Sequence, residues 1–215
     1  MRLPRLFLVV AALAAVLGLA GAANAQTSPR PPWAAPPITA KPGKPLPTRA
    51  VTHVYLLRGL FGVFSQGIDA LAAELVSLGY TSEVYGWDES QKVIDQIGSR
   101  FAAGHTGPVV VIGHSLGANA TIAVATAVAP QNIPIDLAVT FDATDPGPVP
   151  ENVAVLINFW ADDGFGKPVS AVPGYTGQLE NFDLSGEPGI DHTSIDTRER
   201  FHQFVITTLE GMTGN

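Results

Sequence analysis

From Val51 onward, short runs of unbroken apolar residues alternate with longer stretches in which apolar positions recur every three or four residues. The first pattern predicts strands and the second amphipathic helices, and their alternation predicts a parallel sheet with crossover helices. Residues 51–57 are β-branched and aromatic and stop at Arg58 and Gly59, a strand ending in a turn. Ile68, Leu71, Ala72, Leu75 and Leu78 follow at helical spacing, with Gly79 as the stop. Residues 81–87 predict a second strand. Asp88 or Ser90 then caps a helix carrying Val93, Ile94, Ile97 and Phe101, which glycines 104 and 107 break. Residues 108–113 hold four consecutive branched apolar residues with no polar alternation, the mark of a strand covered on both faces. An alanine-rich helix over 116–129, buried strands at 135–141 and 153–160 and a short strand at 179–184 complete the sheet. A closing helix over 195–209 turns Phe201, Phe204, Val205 and Leu209 inward. The expected fold is therefore α/β: a doubly wound, mostly parallel sheet of about six strands.

The first fifty residues follow neither pattern. Arg2 and Arg5 precede an uncharged apolar run from Leu6 to about Ala23, and Ala23-Asn24-Ala25 offers a small-residue cleavage site. Residues 1–25 thus read as a secretory signal peptide, and the chain as exported, to the periplasm or the medium. The other reading is an uncleaved anchor, because the apolar run sits at the lower edge of what spans a bilayer. With cleavage, no stable membrane span remains. Residues 26–50 contain eight prolines, too dense for a core, and read as an extended tether to a domain over 51–215.

Composition narrows the chemistry. The chain has no cysteine, which excludes a disulfide scaffold, a thiolate metal site and a cysteine nucleophile. Its formal charge of −7 becomes −9 when Arg2 and Arg5 leave with the signal segment. No basic run or basic helix face appears, so nucleic acid is not an expected partner.

Gly113-His114-Ser115-Leu116-Gly117 falls where the central strand meets the alanine-rich helix, the context that a G-x-S-x-G nucleophile elbow requires. Serine at such a bend holds a strained backbone that lifts its hydroxyl clear of the sheet, and the flanking glycines permit the close approach of strand and helix. The alternative is a glycine turn with an incidental serine. Gly43-Lys44-Pro45 and Gly166-Lys167-Pro168 lack the hydroxyl residue and spacing of a phosphate loop.

A serine hydroxyl needs a base within hydrogen-bond reach and an acid to orient that base. Of five histidines, His53 lies in the first strand, His105 at the opposite end of the central strand, His114 in the elbow and His202 on the last helix. His192 alone occupies a loop between the last strand and the closing helix, and is the expected base. Asp142, the first residue after a buried strand, is the preferred acid; Asp145, Asp162 and Asp163 stay as alternatives at the same or the next strand end. Any of these aspartates could instead be a turn residue bonding its own backbone.

These features resemble the α/β-hydrolase family, in particular its small esterase, lipase and thioesterase members, over residues 51–211. The resemblance rests on the Gly113–Gly117 motif, the order nucleophile, acid, histidine, and the glycine turn after the first strand. It implies an oxyanion hole of two backbone amides, Leu116 and one from the loop after the first strand, with Leu60 the first choice and Phe61 the second. Many relatives carry His-Gly where this chain has Arg58-Gly59. The family's first two strands are missing here, and the connection after Asp142 is too short for a lid domain, which implies an open site. Phe61, Phe64, Trp87 and Trp160 lie near carboxyl ends of strands, where open α/β sheets bind ligands, and are candidates for substrate contact or for core filling. Arg58 is a candidate for an anionic substrate group or a rim salt bridge.

The expected activity is hydrolysis of a small or lipid-like carboxylic ester or thioester through an acyl-enzyme on Ser115, with no metal or organic cofactor. Two rivals stand beside it: a catalytically silent member of the fold that binds a ligand, and an amidase or acyltransferase using the same triad.

Overall fold

The computed structural model describes residues 47–60, 62 and 65–214. The signal peptide, almost all of the tether, Phe61 and Phe64 lie outside the described residues.

The first strand, β1 (His53–Arg58), leads into α1 (Gln66–Ser77), then β2 (Thr81–Gly86) and α2 (Ser90–Ala102). The central unit is β3 (Val109–His114) followed directly by α3 (Leu116–Val128). Strands β4 (Leu137–Phe141), β5 (Val155–Trp160) and β6 (Gln178–Asp183) then precede the closing helix α4 (Glu199–Met212). All six strands form one parallel sheet in the order β2-β1-β3-β4-β5-β6.

Alternation along each strand divides the core into two layers. Val54 and Leu56 of β1 join Val110 and Ile112 of β3 on the face covered by α1 and α4, where Ile68, Leu71, Phe201 and Val205 are buried. Tyr55 and Leu57 face the other way with Val111, against Val93 and Ile97 of α2 and Val124 and Val128 of α3. Phe159 anchors the first layer, its ring 4.8 Å from Phe201, 5.2 Å from Phe182 and 5.4 Å from Phe141.

Several element boundaries differ from the sequence expectation, each for a local reason. Ile135 makes only an isolated bridge to Val153, because the next residue turns its carboxylate onto the Val109 amide (2.8 Å), so β4 begins at Leu137. Neither Asp88 nor Ser90 caps α2. Glu89 reaches back instead, accepting the Gly86 N–H at 2.8 Å, and Ser90 is already helical. Ile195 lies in a separate short turn, and α4 runs past Leu209 to Met212.

The chain runs from β1 outward to β2 and then returns across β1 to β3. Neighbouring connections diverge there, leaving a crevice at the carboxyl ends of β1 and β3, where open α/β sheets bind ligands. No helix among the described residues is long and apolar enough to cross a membrane.

Candidate active site

Only Ser115 separates β3 from α3, and its backbone holds φ 58° and ψ −122°, outside the regions that side-chain-bearing residues favour. Glycine on both sides makes this possible. A Cβ at 113 would collide with the Gly117 carbonyl, and one at 117 with the Leu57 carbonyl, so α3 starts against two strands. The Ser115 amide donates to the Phe141 carbonyl at 2.9 Å, tying the bend to β4.

His192, brought in by the loop between β6 and α4, places Nε2 2.9 Å from Ser115 Oγ. Its Nδ1 lies 2.5 Å from Asp142 Oδ2. A carboxylate only accepts, so the ring proton belongs on Nδ1 and the Nε2 lone pair faces the hydroxyl, which donates to it. The carboxylate is buried, whereas the imidazole keeps 15% of its surface exposed.

Asp142 is held as tightly as Ser115. Its backbone has φ 53°, a second non-glycine residue in left-handed conformation at a strand end. Its amide donates to Phe159 at 2.7 Å, and Oδ1 accepts the Ala161 N–H at 3.0 Å. Gly166 presses on the same carboxylate, since a Cβ there would overlap Asp142 Oδ1.

None of the alternative acids touches the imidazole through its side chain. Asp145 is exposed; its amide bonds Asn119 Oδ1 (3.0 Å), and its carboxylate lies 3.7 Å from Lys167. Asp162 meets Ser185 through its amide at 2.8 Å. Asp163 does reach His192, but at the main chain, where Oδ2 accepts the backbone N–H at 2.7 Å.

A buried relay fixes His192 from the other side. The Gly59 N–H donates to Ser65 Oγ (2.8 Å), and the Ser65 hydroxyl sits 2.8 Å from His114 Nδ1. His114 Nε2 lies 2.7 Å from the His192 carbonyl, an acceptor only, so Nε2 carries the proton and Nδ1 accepts from Ser65. Burial pushes the His114 pKa below its ordinary value, against the opposing pull of the Asp196 charge. The neutral ring matches this bonding pattern. The relay also takes up the Gly59 amide, which leaves Leu60 as the next amide of that loop.

Leu60, Leu116, Ser115 and His192 border a hollow of about 470 Å³ that Phe165 and Thr193 complete. Leu116 begins α3, and the first N–H groups of a helix have no intrahelical acceptor. Phe165 stacks on His192, with ring centroids 4.6 Å apart and planes inclined by 23°.

The other substrate candidates lie elsewhere. Trp160 does not border this hollow. Trp87 is exposed and borders a neighbouring groove. Arg58 holds Asp69 through Nε (3.1 Å) and a terminal nitrogen (2.5 Å), so it is a rim ion pair.

Sequence reasoning missed Phe165, Ser65, the part played by His114, and the grip of Asp163 on the main chain. The glycines flanking Phe165 marked only a loop, and nothing local in the sequence pointed Ser65 at His114, 49 residues away.

No family model matches the chain, and no curated protein matches it in sequence. Solved structures do resemble it. The type II thioesterase BorB from the borrelidin biosynthetic cluster is 13% identical, with a TM-score of 0.50 over 76% of this chain and 95% of that one. The surfactin thioesterase domain SrfTE is 11% identical, with a TM-score of 0.49 over 74% and 91%. The RedJ thioesterase of Streptomyces coelicolor is 13% identical, with a TM-score of 0.48 over 81% and 96%. At 13% identity the likeness to BorB extends to the fold alone, which is that of the α/β hydrolases.

Proposed function

We propose that this protein is a serine hydrolase that cleaves carboxylic esters or thioesters through an acyl-enzyme on Ser115. The carrying observation is the unbroken hydrogen-bond chain from Ser115 Oγ through His192 to the buried Asp142.

In this reading Ser115 Oγ attacks the substrate carbonyl carbon while its proton passes to His192 Nε2. Asp142 holds the Nδ1–H, fixes the tautomer and stabilises the imidazolium that forms. The carbonyl oxygen, now an oxyanion, is met by the amides of Leu116 and Leu60; one such donor is worth on the order of 3 kcal/mol in related chemistry. Collapse of the tetrahedral intermediate breaks the bond to the leaving oxygen or sulfur, which takes the proton from Nε2. Water then repeats the sequence on the acyl-enzyme, releasing the acid and restoring Ser115. Phe165 shields one face of the imidazole from water, which strengthens its bonds to both partners.

A fluorophosphonate probe tests this reading. Covalent labelling and p-nitrophenyl acetate hydrolysis are expected in the wild type, and both should vanish in Ser115→Ala. A folded wild-type protein that neither labels nor turns over would instead be a binding protein built on the same fold.

A further inference from the structure

Beside the Ser115 hollow runs a second depression, a groove of about 930 Å³ along the outer face of α3. The two share a residue: Leu116, next to Ser115, borders both. A hydrogen-bonded pair stands at the same junction, for Asn119 of the groove donates from Nδ2 to Thr144 of the hollow at 2.9 Å.

The groove is mostly apolar. Its floor is the helix face carrying Ala120, Ala123 and Ala127, whose short side chains leave room above the backbone, and Trp87 stands along it. Pro148 and Val172 also border it. They are kept in place by the pairing of neighbouring Val149 with Ser170 (2.8 Å) and Val172 (3.1 Å). Asp88, Ser90 and Asp145 supply its polar border. From Leu116 to Ala127 the helix advances about 16 Å.

We infer that this groove holds the acyl chain of the substrate, making the enzyme selective for esters of extended aliphatic acids. The inference rests on the serine-hydrolase reading above. Its direction follows from the base. His192 must return its proton to the leaving atom, so the leaving group lies on the side of His192, Phe165 and Thr193. None of those three borders the groove. The acyl group therefore departs from Ser115 past Leu116 and along α3, where each methylene withdrawn from water adds binding energy.

Chain-length profiles test the assignment, because Ala123 and Ala127 are exposed and accept a large side chain without disturbing the core. Ala123→Trp and Ala127→Trp should be compared with wild type on p-nitrophenyl acetate, hexanoate and dodecanoate, with circular dichroism to verify folding. In wild type, kcat/KM should rise with acyl length. Ala123→Trp should lower the dodecanoate-to-acetate ratio at least about tenfold, the worth of a few buried methylenes. Ala127→Trp, farther from Ser115, should spare hexanoate and penalise only dodecanoate. Profiles of folded variants that overlay the wild type overturn the inference while Ser115-dependent acetate hydrolysis preserves the serine-hydrolase reading. Loss of that dependence sinks both. Variants that penalise dodecyl acetate but not p-nitrophenyl dodecanoate would place the alcohol chain in the groove and refute the acyl assignment.

Discussion

Two consecutive strand ends deliver an aspartate to His192, and they do it differently. The end of β4 sends Asp142 into the interior, where its carboxylate meets the imidazole and is braced by the Ala161 amide. The end of β5 opens into a glycine-containing loop whose Asp163 remains exposed and grips only the backbone N–H of His192. In the serine-hydrolase reading, the contrast separates two requirements of the base. Asp142 sets which nitrogen carries the proton, a matter of charge at the ring. Asp163 sets where the loop stands, a matter of main-chain position. The two loops are also joined, since the Lys167 amide donates to the Ala143 carbonyl at 2.9 Å and Gly166 lies against the Asp142 carboxylate.

Exchanging charge for an isosteric amide at each acid measures the difference most directly. Asp142→Asn, with ester turnover as the readout, is expected to cost on the order of 10³–10⁴ in kcat, because an amide nitrogen facing Nδ1 favours the wrong tautomer. Asp163→Asn, which leaves the ring untouched, should cost about tenfold or less. Equal losses in the two variants would erase the distinction.

An intermediate effect is expected where the loops touch. The Cβ introduced by Gly166→Ala has to displace the Asp142 carboxylate, and a shift of about 1 Å in a catalytic group lowers the rate roughly a hundredfold. The loss should fall on kcat rather than KM, with the far-ultraviolet spectrum unchanged. A fully active Gly166→Ala protein would show that the carboxylate tolerates movement.

The smallest effect concerns stability, through the second main-chain anchor of His192. Buried His114 has a pKa held below its ordinary 6.5. Below that pH the unfolded chain takes up a proton that the folded chain refuses, so the stability contributed above pH 6.5 is lost as pH falls toward the folded-state value. Urea unfolding of wild type and His114→Gln should therefore show a stability gap that narrows between about pH 7.5 and pH 5. A widening gap would mean that folding protonates the ring and that its Nδ1 does not accept from Ser65.

Much of this arrangement was legible in the chain itself. The run before Gly113 could only be a strand covered on both faces, and the Gly113–Gly117 spacing placed a serine where that strand meets a helix. Eliminating histidines by position left His192, and preferring the first residue after a buried strand favoured Asp142; the structure brings His192 to Ser115 and Asp142 to His192. What escaped notice depends on loops meeting across space. Asp163 stands in the sequence as a rival to Asp142 or as a turn residue; it does accept the Phe165 N–H at 3.2 Å, but its second bond, to the His192 amide, is not visible in sequence position. Trp160 was a candidate for substrate contact because it ends a strand, but the direction of its ring depends on the packing of β5. The groove along α3 was hidden for a related reason: an alanine-rich helix reads as close packing, and only the placement of Trp87, Pro148 and Val172 shows that one face is open.

Ser115 and Asp142 share a positive φ, which costs on the order of 1–3 kcal/mol per residue when a side chain is present. Random mutagenesis screened for heat resistance alone would therefore drift toward glycine at these two places, yielding sturdier molecules without chemistry. In the serine-hydrolase reading the twin kinks serve turnover, which durability by itself would smooth away.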